Sequence, residues 1–495
     1  VSPNSGAVAG SDHSPFAHFR VTPAALLPTG RAGALKRNRV SCIQVDGRIQ
    51  PEVSAVNHPE AAFNVRRIGP CQHASPIQLS KSSDDGIANY VTDDQRVVYQ
   101  IDVDAGAEQI TLAHAGLLEK AGPRDRIFFD PSRVRAAVLT AGGLCPGLND
   151  VIRSIVMTLW YRYGVRQIEG VRFGYRGLYD SEPSLRTMLT PEAVRDIHRT
   201  GGTILGSSRG GGDRVADMAR ACAERGVNML FCIGGDGTQK GALALAREFE
   251  RNHAECAVVG IPKTIDNDLS FVERSFGFDT AVSEAVVAVS AAHTEARAAN
   301  NGVGVVKVMG RQSGFIAAHT ALAQNDVNFV CIPEVPFALA GENGLLAHLE
   351  RRLNARKHAV ILLAEGAGQD LLERTHQSDA SGNVRLADIG PFVCDQIRDH
   401  FKRIEREVNV KYIDPSYIIR SAPTIANDSI YCQRLGANAV HAAMAGRTEC
   451  LVGLVNGRFV HVPMQLAAGK RNFVDPESAL WRDVVEATGQ PPVMR

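Results

Sequence analysis

Six stretches of the chain, 134–139, 228–233, 256–261, 303–308, 327–332 and 359–364, are apolar almost throughout and then break into glycine or polar residues. Runs of this length with no polar face predict strands buried on both sides, as in parallel sheets. A shorter run, 410–413, ends the same way at Asp414. Elsewhere apolar positions recur at helical spacing. Val151, Ile152, Ile155, Val156, Leu159 and Trp160 stripe one helix, and Val215, Met218, Ala219 and Cys222 stripe another. Further helices are expected from near Gln239, over 279–299 and over 426–446. Short strands are expected within 201–206 and 96–101. Strands alternating with helices predict an α/β fold built on parallel sheets. In such folds ligands bind beyond the carboxyl ends of the strands, where this chain's polar residues cluster.

Four of those strand ends carry candidate chemistry. The run 256–261 opens into P-K-T-I-D-N-D (262–268), whose carboxylates Asp266 and Asp268 lie two residues apart. In an extended loop they would face different ways, one toward a hydroxyl and one toward a metal or ordered water, a division suited to phosphoryl transfer. The bland alternative is an Asx-rich turn capping backbone amides. The run 228–233 leads into G-G-D-G-T (234–238) and a helix. Those glycines let a polyphosphate approach the backbone, and Asp236 is placed to hold magnesium through water. T-A-G-G-L-C-P-G-L-N (140–149) is a third glycine-rich turn before a helix, with neither common phosphate-loop spacing. G-G-T-I-L-G-S-S-R-G (201–210) carries Arg209 on a small-residue loop, where a guanidinium can fork across phosphate oxygens.

Composition narrows the setting. The 495 residues suffice for two or three domains, and a net charge of +1 gives no sign of a nucleic-acid partner. No apolar run reaches spanning length, so no membrane partner is expected. Ten scattered cysteines without a C-x-x-C pair point to reduced thiols, and fifteen histidines show no metal-ligand spacing. Residues 1–60 are rich in Ser, Ala, Pro and Gly, and up to Val45 hold five basic residues against one acid. They are read as a disordered extension, with a plastid transit peptide as the alternative. A small N-terminal module is expected over 61–131, a catalytic body over 132–463 and a C-terminal segment over 464–495.

G-G-D-G-T, P-K-T-I-D-N-D, M-G-R (309–311), A-E-G (364–366) and Y-I-I-R (417–420), in this order and at strand ends, resemble the 6-phosphofructokinase family. The loops are most similar to its ATP-dependent plant and trypanosomatid branch. The resemblance implies two Rossmann-like lobes with the active site in the cleft between them, magnesium with ATP as donor, fructose 6-phosphate as acceptor, and a cytoplasmic homotetramer. It makes Asp266 the proton acceptor and Asp236, with Asp268, the metal-associated carboxylates. The nucleotide positions fall on Gly143, Arg209, Gly210, Gly235, Asp236, Gly237 and Thr238. The sugar positions fall on Thr264, Ile265, Asp266, Met309, Gly310, Arg311, Glu365, Lys411, Tyr417 and Arg420. Three departures stand out: Gly302 replaces a phosphate-binding arginine, Gly210 an aromatic residue, and Lys263 a glycine of bacterial ATP-dependent members. Lys263 is the residue of pyrophosphate-dependent members, whereas Gly237 replaces their aspartate and leaves room for the α-phosphate of ATP. Pyrophosphate as donor, NAD or lipid kinases sharing G-G-D-G, and a non-catalytic regulatory subunit are the rival readings.

Overall fold

The computed structural model describes residues 60–101, 116–372 and 386–495. The extension expected over 1–60 lies, but for its last residue, outside them. Two large sheets, with two further two-stranded ribbons, carry the described chain. The first has nine strands: β1 (Arg96–Val98), β2 (Leu117–Lys120), β3 (Arg135–Ala141), β4 (Gln167–Val171), β5 (Arg186–Met188), β6 (Met229–Gly234), β7 (Ala257–Pro262), β12 (Cys450–Val455) and β13 (Arg458–Pro463). Their spatial order is β1-β2-β13-β12-β7-β6-β3-β4-β5. The second holds β8 (Gly302–Val308), β9 (Phe329–Cys331), β10 (His358–Ala364) and β11 (Asn409–Ile413), in the order β9-β10-β8-β11.

The expected parallel pairing holds throughout the second sheet and across β12-β7-β6-β3-β4 of the first. The first sheet's margins add antiparallel strands to that parallel core. The cause at one margin is local: β12 and β13 are joined by Asn456-Gly457, both with positive φ, a tight turn that returns the chain beside itself. Strands β1 and β2 continue this sheet by pairing onto β13, so residues from the module expected over 61–131 extend the first lobe.

Each sheet is buried on both faces because alternate residues serve different cores. In β3, Ala136 and Val138 face one cluster, and Ala137 and Leu139 the other. The first includes residues of α1 (Leu148–Met157) and α9 (Ala426–Met444), the second residues of α2 (Val215–Glu224) and α3 (Asp236–Arg251). In β8, Val306 and Val308 pack with residues of α4 (Phe278–Ala298), α5 (Phe315–Ala323) and α11 (Ala479–Thr488). Val303 and Val305 face α6 (Leu345–Arg356) and α7 (Ile389–Arg403). Shorter helices include α8 (Ser416–Ser421) and α10 (Met464–Ala467). No strand forms within 201–206, where Gly202 and Gly206 both take positive φ and the chain bends instead. All nine described cysteines are unpaired. Among the described residues no helix is long and apolar enough to cross a membrane.

Candidate active site

The loop after β7 lies at the junction of the lobes, since Ile265 packs against both the first-lobe core and the second-lobe core. It is a turn, not the extended stretch expected. Asn267 takes φ 54°, a left-handed conformation that asparagine tolerates, and its side chain accepts from Ser275 N at 2.7 Å. That turn still aims the flanking carboxylates differently. Asp268 accepts from Thr264 Oγ1 and pairs with Arg471 Nη1 at 3.2 Å. Asp266 Oδ2 accepts a long bond from Arg311 N at 3.5 Å, while its Oδ1 is enclosed without a hydrogen-bond partner. Burial, then the charges of Asp268 and Glu365, push the Asp266 carboxyl up to about 7. The residue as a whole keeps some surface, while its Oδ1 is shielded from water.

Beside it the three glycine-containing loops of the first lobe converge. Lys263, 7% exposed, donates from Nζ to Gly143 O at 2.6 Å, and its backbone N–H donates to Gly234 O at 3.0 Å. Burial lowers its ammonium's affinity for the proton, and the nearby Asp266 charge opposes this. The loop bearing Arg209 and Gly210 is tied to the same turn by Gly142 N to Ser208 O at 3.0 Å and Ser207 Oγ to Gly142 O at 2.6 Å. Gly235 caps α3, whose first residue is Asp236, and buried Gln239 donates to Gly234 O and Ile261 O, locking the ends of β6 and β7 together. Thr238 is buried, whereas Gly237 is exposed with no atom within 4 Å of where a Cβ would sit. Asp236 accepts from Gly469 N at 2.5 Å and pairs with Lys240 at 2.9 Å.

The second lobe supplies the opposite wall. Gly366 N donates to Gly310 O at 3.0 Å and Glu365 N to Val308 O at 2.9 Å, which sets the turn of Met309, Gly310 and Arg311 against Glu365. Arg420 on α8 donates from Nε to Met309 Sδ at 3.2 Å, and its charge acts on both Asp266 and Lys263. The end of α8 touches the first lobe at Gly201, where a Cβ would collide with Ser421 O, so only glycine allows the approach. Lys411 on the edge strand is exposed and Tyr417 is 82% exposed, so neither is gathered into this cluster. Gly302 is buried at the start of β8, with Ala296 O in the way of its would-be Cβ; an arginine there would displace the end of α4. A cavity of about 660 Å³ lined by Ile77, Tyr161, Arg162 and His441 includes none of the candidate site residues in its lining.

Sequence reasoning missed Lys240, Arg471, Ser275 and Ser313, all of which hold the carboxylate loops or their neighbours. Arg471 had no signal, because nothing in its local pattern ties residue 471 to 268.

The phosphofructokinase family profile matches residues 135–443. The chain is 51% identical over 442 residues to the "ATP-dependent 6-phosphofructokinase" of Borreliella burgdorferi, covering 88% of this chain and 98% of that one. It is 48% identical over 375 residues to the protein of the same name from Trypanosoma cruzi, covering 75% and 76%. Among solved structures, a pyrophosphate-dependent phosphofructokinase from Nitrosospira multiformis superposes with a TM-score of 0.60 at 17% identity, over 73% of this chain and 93% of that one, a likeness of fold alone.

Proposed function

Because this chain belongs to the phosphofructokinase family, we infer that it transfers the γ-phosphoryl group of ATP to the 1-hydroxyl of fructose 6-phosphate, giving fructose 1,6-bisphosphate and ADP. The observation that carries the reading is Asp266: a carboxylate with one enclosed, unpartnered oxygen and an affinity for protons raised to about 7, between a lysine-lined glycine turn and an arginine-bearing wall. A base of that kind is matched to a hydroxyl at neutral pH.

In the proposed step the sugar's 1-hydroxyl gives its proton to the Asp266 carboxylate as its oxygen bonds the γ-phosphorus. The bond from that phosphorus to the β–γ bridging oxygen breaks, and ADP leaves with the electron pair. Arg311 and Arg420 hold the sugar phosphate, Met309, Gly310, Glu365, Thr264 and Ile265 shape its pocket, and Lys411 and Tyr417 approach it from the open side. Gly143, Arg209, Gly210, Gly235, Gly237 and Thr238 receive the nucleotide. Lys263 lies beside the transferring group and opposes its developing charge.

Asp236 and Asp268 fit magnesium in donor chemistry, being oxygen-only ligands. Among the described residues no group of three or more His, Cys, Asp or Glu side chains could hold a metal by itself, which suits an ion whose remaining ligands are phosphate and water oxygens. Magnesium would neutralise donor-phosphate charge when bound. The proposal extends to a cytoplasmic homotetramer, or a plastid one if residues 1–60 are a transit peptide; light scattering and a fluorescent fusion test these.

Pyrophosphate is the second reading, favoured by Lys263 alone. The deciding experiment compares ATP with pyrophosphate on fructose 6-phosphate and magnesium, for the wild type and Asp266→Asn. Turnover with ATP that Asp266→Asn abolishes supports the inference, and efficient turnover only with pyrophosphate overturns the choice of donor.

A further inference from the structure

Residues 469–474, which follow the last sheet strand and α10, touch both carboxylate-bearing loops of the first lobe and Glu334 of the second. Gly469 N donates to Asp236 Oδ1 at 2.5 Å. Arg471 pairs with Asp268 at 3.2 Å, and its backbone forms a β-bridge with Leu269. Asn472 N donates to Asp268 O at 2.8 Å and its side chain to Leu269 O at 3.1 Å. Val474, buried in the second-lobe core, donates its N–H to Glu334 Oε1 at 2.8 Å. That same oxygen accepts from Gly314 N at 2.9 Å, three residues beyond Arg311 and next to α5. Downstream, Trp481 on α11 packs into the cluster that contains Ile316 and Ala317 of α5.

A closed circuit results. The loop bearing Asp266 and Asp268 meets the 311–314 loop directly, through Arg311 N to Asp266 Oδ2 and Ser313 Oγ to Asp266 O at 3.2 Å. It meets that loop a second time through Arg471, the strap and Glu334. Two links between two loops leave them little freedom to shift separately, so a ligand that fixes one restricts the other. Resting on the functional reading above, we propose that Arg471 and Glu334 are positioning residues for phosphoryl transfer. They set residues 469–474 as a strap by which occupancy of the donor side is felt on the sugar side. Glu334 acts as a tie because one of its oxygens accepts both N–H bonds, a geometry that a carboxamide oxygen also satisfies. Gln can therefore replace it, and Ala cannot.

The chain has two tryptophans, so Trp160→Phe leaves Trp481, 4% exposed, as a reporter on the strap's own helix. In that background, dissociation constants for fructose 6-phosphate and for ADP with magnesium are measured by Trp481 emission, each alone and with the other saturating. The expected result is a mutual tightening of about fivefold or more. It should collapse to about onefold in Glu334→Ala and Arg471→Ala and persist in Glu334→Gln, while each ligand alone binds within about threefold of the parent. In turnover, Glu334→Ala should raise the sugar KM at saturating donor by the lost factor. Should Glu334→Ala fail to fold, Arg471→Ala tests the same coupling from the other end of the strap. A parent that phosphorylates fructose 6-phosphate yet shows no coupling, or coupling that survives the Ala variants, overturns this inference alone. A parent that neither binds nor phosphorylates fructose 6-phosphate overturns the functional reading and this inference with it.

Discussion

Replacing Asp266 by asparagine should slow the enzyme and stabilise it at once. The carboxyl rises from its ordinary 3.8 to about 7 because burial and two neighbouring carboxylates oppose its charge. At about 1.4 kcal/mol per pH unit, that rise costs the folded state at most about 4 kcal/mol when the group is ionised. The residue keeps some contact with solvent, so roughly half, about 2 kcal/mol, is the better expectation. The sign follows from linkage. A carboxyl whose folded pKa is raised contributes stability that is complete below 3.8 and lost as pH climbs through about 7. Asparagine mimics the protonated form at every pH. Thermal unfolding should therefore place Asp266→Asn a few degrees above the wild type at pH 8 and level with it near pH 4. Activity should move the other way, with kcat lower by about 10²–10⁴-fold and the sugar KM within a few fold. For the wild type, kcat/KM, which reports the free enzyme, should rise with pH and level off above about 7. An Asp266→Asn protein with unchanged kcat, or with no stability gain at pH 8, would refute the assignment of the base or of its environment.

Asp268→Asn removes one of the charges that raise Asp266, so the acid limb of kcat/KM should shift to lower pH; an unmoved limb would mean that the charge of Asp268 is not felt at Asp266. Arg311→Ala and Arg420→Ala each remove a charge-assisted phosphate contact and should raise the KM for fructose 6-phosphate far more than that for ATP. Initial-rate kinetics with each substrate varied would expose the reverse pattern. Gly237→Asp should fold normally, since open space surrounds its would-be Cβ, but place a carboxylate against the α-phosphate and abolish ATP use at a cost of several kcal/mol. Weak pyrophosphate turnover should survive or appear, and retained ATP activity would dismiss Gly237 as the donor gate. Lys263→Gly should lower turnover by about 10²-fold or more with either donor, and a single-turnover rate equal to wild type would remove Lys263 from the chemistry.

The central strands were legible because a strand buried on both faces must be apolar at nearly every position, as 256–261 and 303–308 are. The site motifs were legible because glycine turns and paired carboxylates at strand ends have few structural uses. What escaped was non-local. Glu334 reads as one acid after a proline, and only the fold brings Gly314 and Val474 to the same oxygen. The hairpin at Asn456-Gly457 carried a recognisable turn signal between two apolar runs, and reading it would have revealed the antiparallel margin. The strand expected within 201–206 failed because backbone bends at Gly202 and Gly206 outweighed the apolar pair Ile204-Leu205.

Strand β7 pairs with β12, which is followed by β13, and β13 in turn receives β2. The second lobe's sheet is complete once residue 413 has been made, whereas the first lobe's sheet waits for residue 463. During synthesis the apolar edge of β7 is therefore exposed while the whole second lobe is translated behind it. An unpaired edge of that kind is a template for the wrong neighbour. Premature termination between 444 and 450 would strand the chain in that state, so chains shortened there should aggregate through the open edge of β7.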